Sequence, residues 1–196
     1  MDIVAAEVLL AQMRARTHIA PKRLVEPGPD ADALNLIFNA ASHAPDHGRL
    51  QPWHFFRVPY DKRTALGDVF AQALSDRDQT ATQSQKDEAY EKAFRAPCLM
   101  MAVIHHAPCD AKVPINDRLI ALGCAIQNMM LMAQTLSIGS GITSGQSMNA
   151  WPLRRLFQLK ETEEGICFLS FGTIASHKAP WQRAEVSTFV TSLPSV

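Results

Sequence analysis

The sequence predicts a mixed fold in which helices and strands follow one another in an α/β-like order that does not alternate cleanly. Three observations predict it. Cys98 to Ile104 and Ile166 to Phe171 are short, continuously apolar runs, one introduced by Pro97 and the other ending at Gly172-Thr173, as in strands buried on both faces. Asn116 to about Leu136 is too long for such a strand and is apolar nearly all round, so it reads as a helix covered on most sides, by the sheet and by another helix or a partner subunit. Several other stretches carry apolar residues at helical spacing between Pro/Gly turns.

In chain order, Asp2 to about Met13 predicts an amphipathic helix, with Val4, Val8, Leu9 and Met13 near helical spacing. Arg14 to Arg23 is a basic loop that closes on the turn Glu26-Pro27-Gly28-Pro29. Asp30 or Asp32 can cap a second helix, which runs to about His43 with Leu34, Ile37, Phe38 and Ala41 inward. Trp53 to Pro59 is a strand and Asp61 to about Leu74 a helix. The polar run Ser75 to Glu88 is an exposed lid or a solvated helix. Ile138 to Gly145 is a short Gly/Ser-rich strand or loop, Trp151 to Leu159 a short helix, and an irregular arm carries Pro180-Trp181 to the end. With 196 residues and no internal repeat, the chain suits a single domain with a C-terminal arm over about 178–196.

A hydrophobic fraction of 47% against 19% charged residues belongs to a folded chain, not a disordered one. Lysine plus arginine number 19, as do aspartate plus glutamate, so no general footprint for nucleic acid or an anionic membrane exists, and near-zero charge favours association. The apolar stretch Leu119 to Ala133 is interrupted by Gln127-Asn128 and falls short of a membrane span. The opening Met1-Asp2-Ile3-Val4 has no basic region followed by an apolar one, and the expected compartment is the cytoplasm. Of Cys98, Cys109, Cys124 and Cys167, none form a Cys-x-x-Cys pair and three lie in apolar runs. They read as buried thiols, not disulfides or metal ligands.

The richest segment is Ala44-Pro45-Asp46-His47-Gly48-Arg49-Leu50-Gln51-Pro52-Trp53-His54-Phe55-Phe56. Two prolines and a glycine break the helix before it, and Asp46, His47 and Gln51 offer hydrogen-bonding groups at the mouth of a strand, where binding sites tend to sit. A second candidate is the basic loop. Arg14, Arg16, His18, Lys22 and Arg23, with the hydroxyl of Thr17, suit a phosphate; the competing reading is a solvated loop whose arginines favour a helix C-terminus. No metal is expected. Pro45 breaks the helix between His43 and His47, and a zinc site wants a third clustered ligand. His105-His106 has no evident partner and reads as surface. The segment from Gly139 to Gly145 lacks the lysine of a nucleotide-binding loop and follows a helix, but its glycines allow a planar ring to lie flat against the backbone. No Gly-x-Ser-x-Gly elbow and no recognisable pair of acid/base carboxylates supports a hydrolase.

Taken together, Ala44-Pro45-Asp46-His47-Gly48 with Gln51-Pro52-Trp53-His54-Phe55-Phe56, the upstream Arg23-Leu24-Val25-Glu26-Pro27-Gly28-Pro29 and the late Phe168-Leu169-Ser170-Phe171-Gly172-Thr173 resemble the nitroreductase family of FMN-dependent oxidoreductases, in its short YdjA-like subgroup. Phe189-Val190-Thr191 fits as well. The resemblance implies an α+β fold with a central, mostly antiparallel sheet flanked by helices, in an obligate homodimer with FMN at the subunit interface. It implies NAD(P)H as reductant and ping-pong hydride transfer through flavin N5 to a nitroaromatic, quinone or similar small-molecule acceptor. No side chain then need act as general acid or base. Carried over by position, the family's phosphate motif falls near Ala15-Arg16-Thr17, with Arg14 one residue away from the missing first arginine. His43 and His47 match residues that cross to the partner's flavin, and Gln51 follows them. The family's Ile-Trp-Arg-Ser corresponds to Gly141-Ile142-Thr143-Ser144, where Ile142 and Thr143 replace an aromatic and a cation. Either His18, Lys22 or Lys178 offsets that loss, or flavin binding is weakened or altered. The second case leaves an alternative, a flavin-binding or degenerate dimer without catalysis.

Overall fold

In the computed structural model, which describes residues 2–106, 113–177 and 182–193, a five-stranded antiparallel sheet separates two groups of helices. The elements are α1 (Ile3–Ala15), β1 (Leu24–Val25), α2 (Ala31–Ser42), β2 (Trp53–Arg57), α3 (Arg63–Arg77), α4 (Gln83–Glu91), β3 (Cys98–His105), α5 (Ile115–Thr135), β4 (Gly139–Thr143), α6 (Trp151–Leu156) and β5 (Glu163–Ile174). β5 is the spine. One edge pairs with β3, which pairs in turn with β2, while its later residues pair with β4 and then β1.

The alternation of side chains along β3 divides the core. Cys98, Met100, Ala102 and Ile104 join Trp53, Leu169 and Phe171 under α2 and α5. Leu99, Met101 and Val103 face the other way, with Phe168, under α3 and α6. Because helices cover both faces, every residue from Cys98 to Ile104 is buried. Arg63 opens α3 from inside this second layer. It is 2% exposed, and its guanidinium donates to the carbonyls of Val58, Ala93, Ala96 and Pro97, tying the end of β2 to the approach to β3. A buried charge is tolerable only with its donors satisfied in this way.

Asp30 caps α2 by accepting the Ala33 N–H, and Leu34, Ile37 and Ala41 are buried, but Phe38 is exposed at the edge of the inward face. The polar 75–88 run is helical at both ends. It holds the last turn of α3 and most of α4, whose start is fixed by a reciprocal Thr82–Gln85 capping box. β5 is longer than its apolar centre and begins at Glu163. Cys98 and Cys167 are buried and Cys124 is half-buried, all as free thiols; Cys109 lies outside the described residues, as do Lys178, Pro180 and Trp181. The largest departure from expectation is α1. It forms, but Ile3, Val4, Val8, Leu9 and Met13 are all exposed and none of its residues is buried. The described C-terminal segment, 182–193, is irregular apart from one short turn, with Phe189 and Leu193 exposed.

Candidate functional site

The loop after α1 is pressed onto β4 backbone to backbone. The Ile19 N–H donates to the Ser140 carbonyl at 2.9 Å, and the Ile142 N–H donates to His18 Nδ1 at 3.3 Å. Gly141 permits this approach: a Cβ built there would lie 2.1 Å from the Ile19 carbonyl oxygen, so any larger residue would push the loop away. His18 therefore stands against Ile142, beside Thr143 and Ser144. Arg14, in the last turn of α1, and Thr17 are exposed, while Arg16 ends the helix half-buried. Its carbonyl accepts from Arg183 Nη2 at 3.1 Å. Burial and the Arg183 charge both lower the Arg16 pKa. Two guanidiniums held side by side form a natural anion seat, because an anion relieves their repulsion.

Beyond β4 the chain turns through 143–148 and, with α3 and α4, encloses a cavity of about 330 Å³. Thr143, Ser144, Gly145 and Pro21 form one wall; Phe70, Leu74 and Phe168 supply apolar surface, and Arg77, Lys92 and Arg95 supply three cations. Arg95 also pairs with Glu88 at 3.3 Å. In the wall, Ser170 Oγ is fully buried and has no hydrogen-bond partner among the described residues. A buried hydroxyl left without a partner beside a cavity suits a ligand's polar atom. The sequence reading missed Arg77, Lys92, Arg95, Ser170 and Arg183. Only strand register and the packing of α3 against α4 bring them here.

His43, His47 and Gln51 lie elsewhere. Gly48, Arg49 and Gln51 adopt φ of 75°, 53° and 42°, so the segment turns sharply before β2. Asp46 Oδ2 accepts the Gln51 N–H at 2.6 Å and holds that turn. His47 pairs through Nδ1 with Asp117 Oδ2 at 2.7 Å and stays 66% exposed; His43 caps α2 and bonds Asn39 Oδ1 at 3.2 Å. A second cavity of about 410 Å³ collects Phe38, Ser42, Asp46, Gln51 and Trp53, and it shares no lining residue with the first. The structure thus brings His18, Gly141, Ile142, Thr143 and Ser144 together and leaves His43, His47 and Gln51 on a different surface.

His105 and His106 have partners, contrary to the sequence reading. His105 stands between His54 and Glu163, and His106 pairs with Glu164 at 2.8 Å.

With this geometry in hand, the comparisons identify the class. The chain matches the model of the nitroreductase family over residues 24–173, and it belongs to that family. It is similar to a Haemophilus influenzae protein named "Putative NAD(P)H nitroreductase", with 32% identity over 179 residues, covering 90% of this chain and 96% of the other. It is equally similar to "Putative NAD(P)H nitroreductase YdjA" of Escherichia coli K12, with 32% identity over 155 residues, 77% of this chain and 81% of that one. Among solved structures, a Bacteroides fragilis nitroreductase with bound FMN superimposes with a TM-score of 0.71 at 19% identity, covering 95% of this chain and 98% of that chain. The fold is the α+β nitroreductase fold, an antiparallel sheet flanked by helices.

Proposed function

We propose that this protein is an FMN-dependent NAD(P)H oxidoreductase that works as a homodimer, with two FMN molecules at the subunit interface. The observation that carries the reading is the division of the site. One chain presents the wall at 141–148 and the anion seat, and presents His43, His47 and Gln51 on a separate surface, so a second copy is needed to close a pocket. The exposed apolar residues of α1, with Leu119 and Ile120 of α5 and the C-terminal Phe189 and Leu193, supply a surface for that contact. The C-terminal arm then reaches across to the partner.

The residues present fit the cofactor. The cavity lies at the small end of the ~300–1,000 Å³ range of small-molecule sites, and Gly141 lets the loop carrying His18 and Ile19 close onto β4 next to the Thr143–Ser144 wall. Arg14, Arg16 and Thr17, with Arg183, would hold the phosphate. Gly141, Ile142, Thr143 and Ser144 would lie along the ring, with His18 standing where the family's lost aromatic and cation would be. His43, His47 and Gln51 would come from the partner. Arg77 and Lys92, with Arg95 partly offset by Glu88, would raise the site's preference for electron-rich states, because net positive charge lining a pocket stabilises added negative charge. Bound FMN supplies two-electron redox chemistry between NAD(P)H and an electron-poor acceptor, such as a nitroaromatic or a quinone, which use the same site in turn. No helix among the described residues is long and apolar enough to cross a membrane, and we place the enzyme in the cytoplasm, with no nucleic-acid partner.

The test is the flavin itself. The purified protein should be yellow, and anaerobic NADH or NADPH should bleach it. Colourless protein that fails to take up added FMN would sink the proposal. Flavin that stays oxidised with both nicotinamides would favour a flavin-binding dimer without turnover, the reading that the Ile142-Thr143 replacement supports. In the same assay His47→Ala should weaken FMN retention about tenfold, roughly 1.4 kcal/mol, while the dimer persists; unchanged affinity removes His47 from the site.

A further inference from the structure

We propose that His54, His105 and Glu163 form a binding site for a divalent transition metal of the zinc type, at the end of the sheet away from the first cavity. Sequence spacing argued against metal because no third ligand clustered with the histidines of the 43–54 segment. Strand pairing supplies it. β2 places His54 one residue past the Trp53–Ile104 pair, and β3 pairs His105 with Glu163 of β5. Three adjacent strands each contribute one donor, and one ligand atom from each residue lies within 4.8 Å of the others.

The two imidazole nitrogens are already near coordination spacing. His54 Nδ1 and His105 Nε2 are 3.0 Å apart. Zinc–nitrogen bonds of 2.0–2.1 Å at a tetrahedral angle place neighbouring donors roughly 3.3 Å apart, so the rings need to part only slightly. At 3.0 Å the two nitrogens must share a proton, and a divalent ion displaces it, which is how imidazoles are ordinarily loaded.

Glu163 completes the argument. Its side chain is only 7% exposed, and within 4 Å among the described residues its one basic side-chain neighbour is His105, with Nδ1 3.5 Å from Oε1. The other oxygen accepts the Lys160 N–H at 2.9 Å. Arg154 does not reach the carboxylate; it donates to the Glu163 and Lys160 carbonyls at 2.8 Å each and so fixes the turn that carries them. A buried carboxylate with so little compensation gains most from a cation. Oε1 faces Nδ1 of His105 and His54 faces Nε2 of the same ring, so loading requires the carboxylate to swing about its anchored Oε2 to the Nε2 side. The half-exposed edge of His105, 32% accessible, leaves a fourth position for water and a path for entry. A set of two imidazoles and one carboxylate selects zinc, nickel, cobalt or copper over magnesium and calcium. Leu99 lines the first cavity and His105 lies six residues further along the same strand, roughly 20 Å away, so the site is a clamp on three strands outside that cavity, with His54 bordering the second cavity beside Gln51.

The experiment uses the full-length protein as purified, stripped with EDTA, and titrated with zinc chloride by calorimetry and with cobalt chloride by visible absorption. The expected result is one saturable equivalent per chain and a tetrahedral cobalt spectrum. His54→Gln and His105→Gln should each weaken zinc about 10- to 100-fold. A His106→Gln/His177→Gln control removes two exposed histidines and should leave the affinity unchanged. No saturable binding by the wild type, or equal binding by the His54→Gln and His105→Gln variants, overturns the site. Should either histidine variant fail to fold, Glu163→Gln decides: retention of the wild-type cobalt spectrum and zinc affinity rejects the proposal, and their loss supports it.

Discussion

β3 and α1 are both strongly apolar in sequence, and they end in opposite surroundings. From Cys98 to Ile104 nothing on β3 is left to solvent, because β2 and β5 flank it and helices lie over both faces. On α1, Val4 is 72% exposed and Val8 59%, and among the described residues the helix packs chiefly against α5. The contrast teaches that an apolar pattern records a demand for cover and says nothing of who supplies it. For β3 the supplier is the same chain. For α1 we assign it to a second copy, since a patch of this size on a surface helix is unusual unless something docks there.

The sharpest way to break that comparison is to make α1 hostile to a partner. Val4→Asp with Val8→Asp removes two apolar side chains from the proposed contact, each worth about 1.5–3 kcal/mol when fully buried, and puts charges in their place. Sedimentation should show a dimer for the wild type and a monomer for the double variant, which should keep its fold because neither residue is part of the intrachain core. A wild-type monomer, or a double variant that remains dimeric, would return α1 to the status of an unpartnered helix. The complementary change is Met101→Ala on β3, a fully buried side chain in the layer under α3 and α6. It should cost about 2–5 kcal/mol of folding stability by transfer and cavity terms, read as a lower urea midpoint. The folded fraction should associate as before. A loss of association without a loss of stability would mean the two regions are not separable.

The same contrast explains how much could be read in advance. β3, α5 and the apolar centre of β5 were legible because each is a continuous run whose period and length allow one structure. The start of β5 was not, since Glu163-Glu164 looks like loop and is strand only because His105 pairs with it. α2 was legible down to a cap at Asp30 or Asp32, of which the structure uses Asp30, yet Phe38 shows that the width of a buried helix face depends on what lies opposite. The Thr82–Gln85 capping box stood in the polar 75–88 run as a local signal of the helix found there. At the site, the glycines and basic loop were visible as residue types. That Gly141 would meet Ile19, that Ser170 would face a cavity, or that Glu163 would reach His105 depends on pairing across tens of residues, which no local pattern encodes.

The smallest effect tests how dry the cover supplied by the chain itself is. Cys167 on β5 is 4% exposed, and burial raises its thiol from 9.0 to about 11. The folded value lies above the unfolded one, so the neutral thiol is favoured in the fold. Below pH 9 the thiol is neutral in both states and its contribution to stability is fully present. Between pH 9 and 11 the unfolded chain ionises and the folded chain does not, so that contribution is lost at about 1.4 kcal/mol per unit, to a limit of about 2–3 kcal/mol above pH 11. Burial also raises Cys98, with Arg57 and Arg63 opposing, so the wild type has a second thiol losing stability in the same direction. Cys167→Ala should therefore flatten the alkaline fall in urea midpoint without abolishing it, because tyrosines, lysines and Cys98 titrate identically in both proteins and cancel in the difference. Identical slopes for variant and wild type from pH 8 to 11 would mean that water reaches β5, and that the core is less closed on this face than the burial of β3 implies.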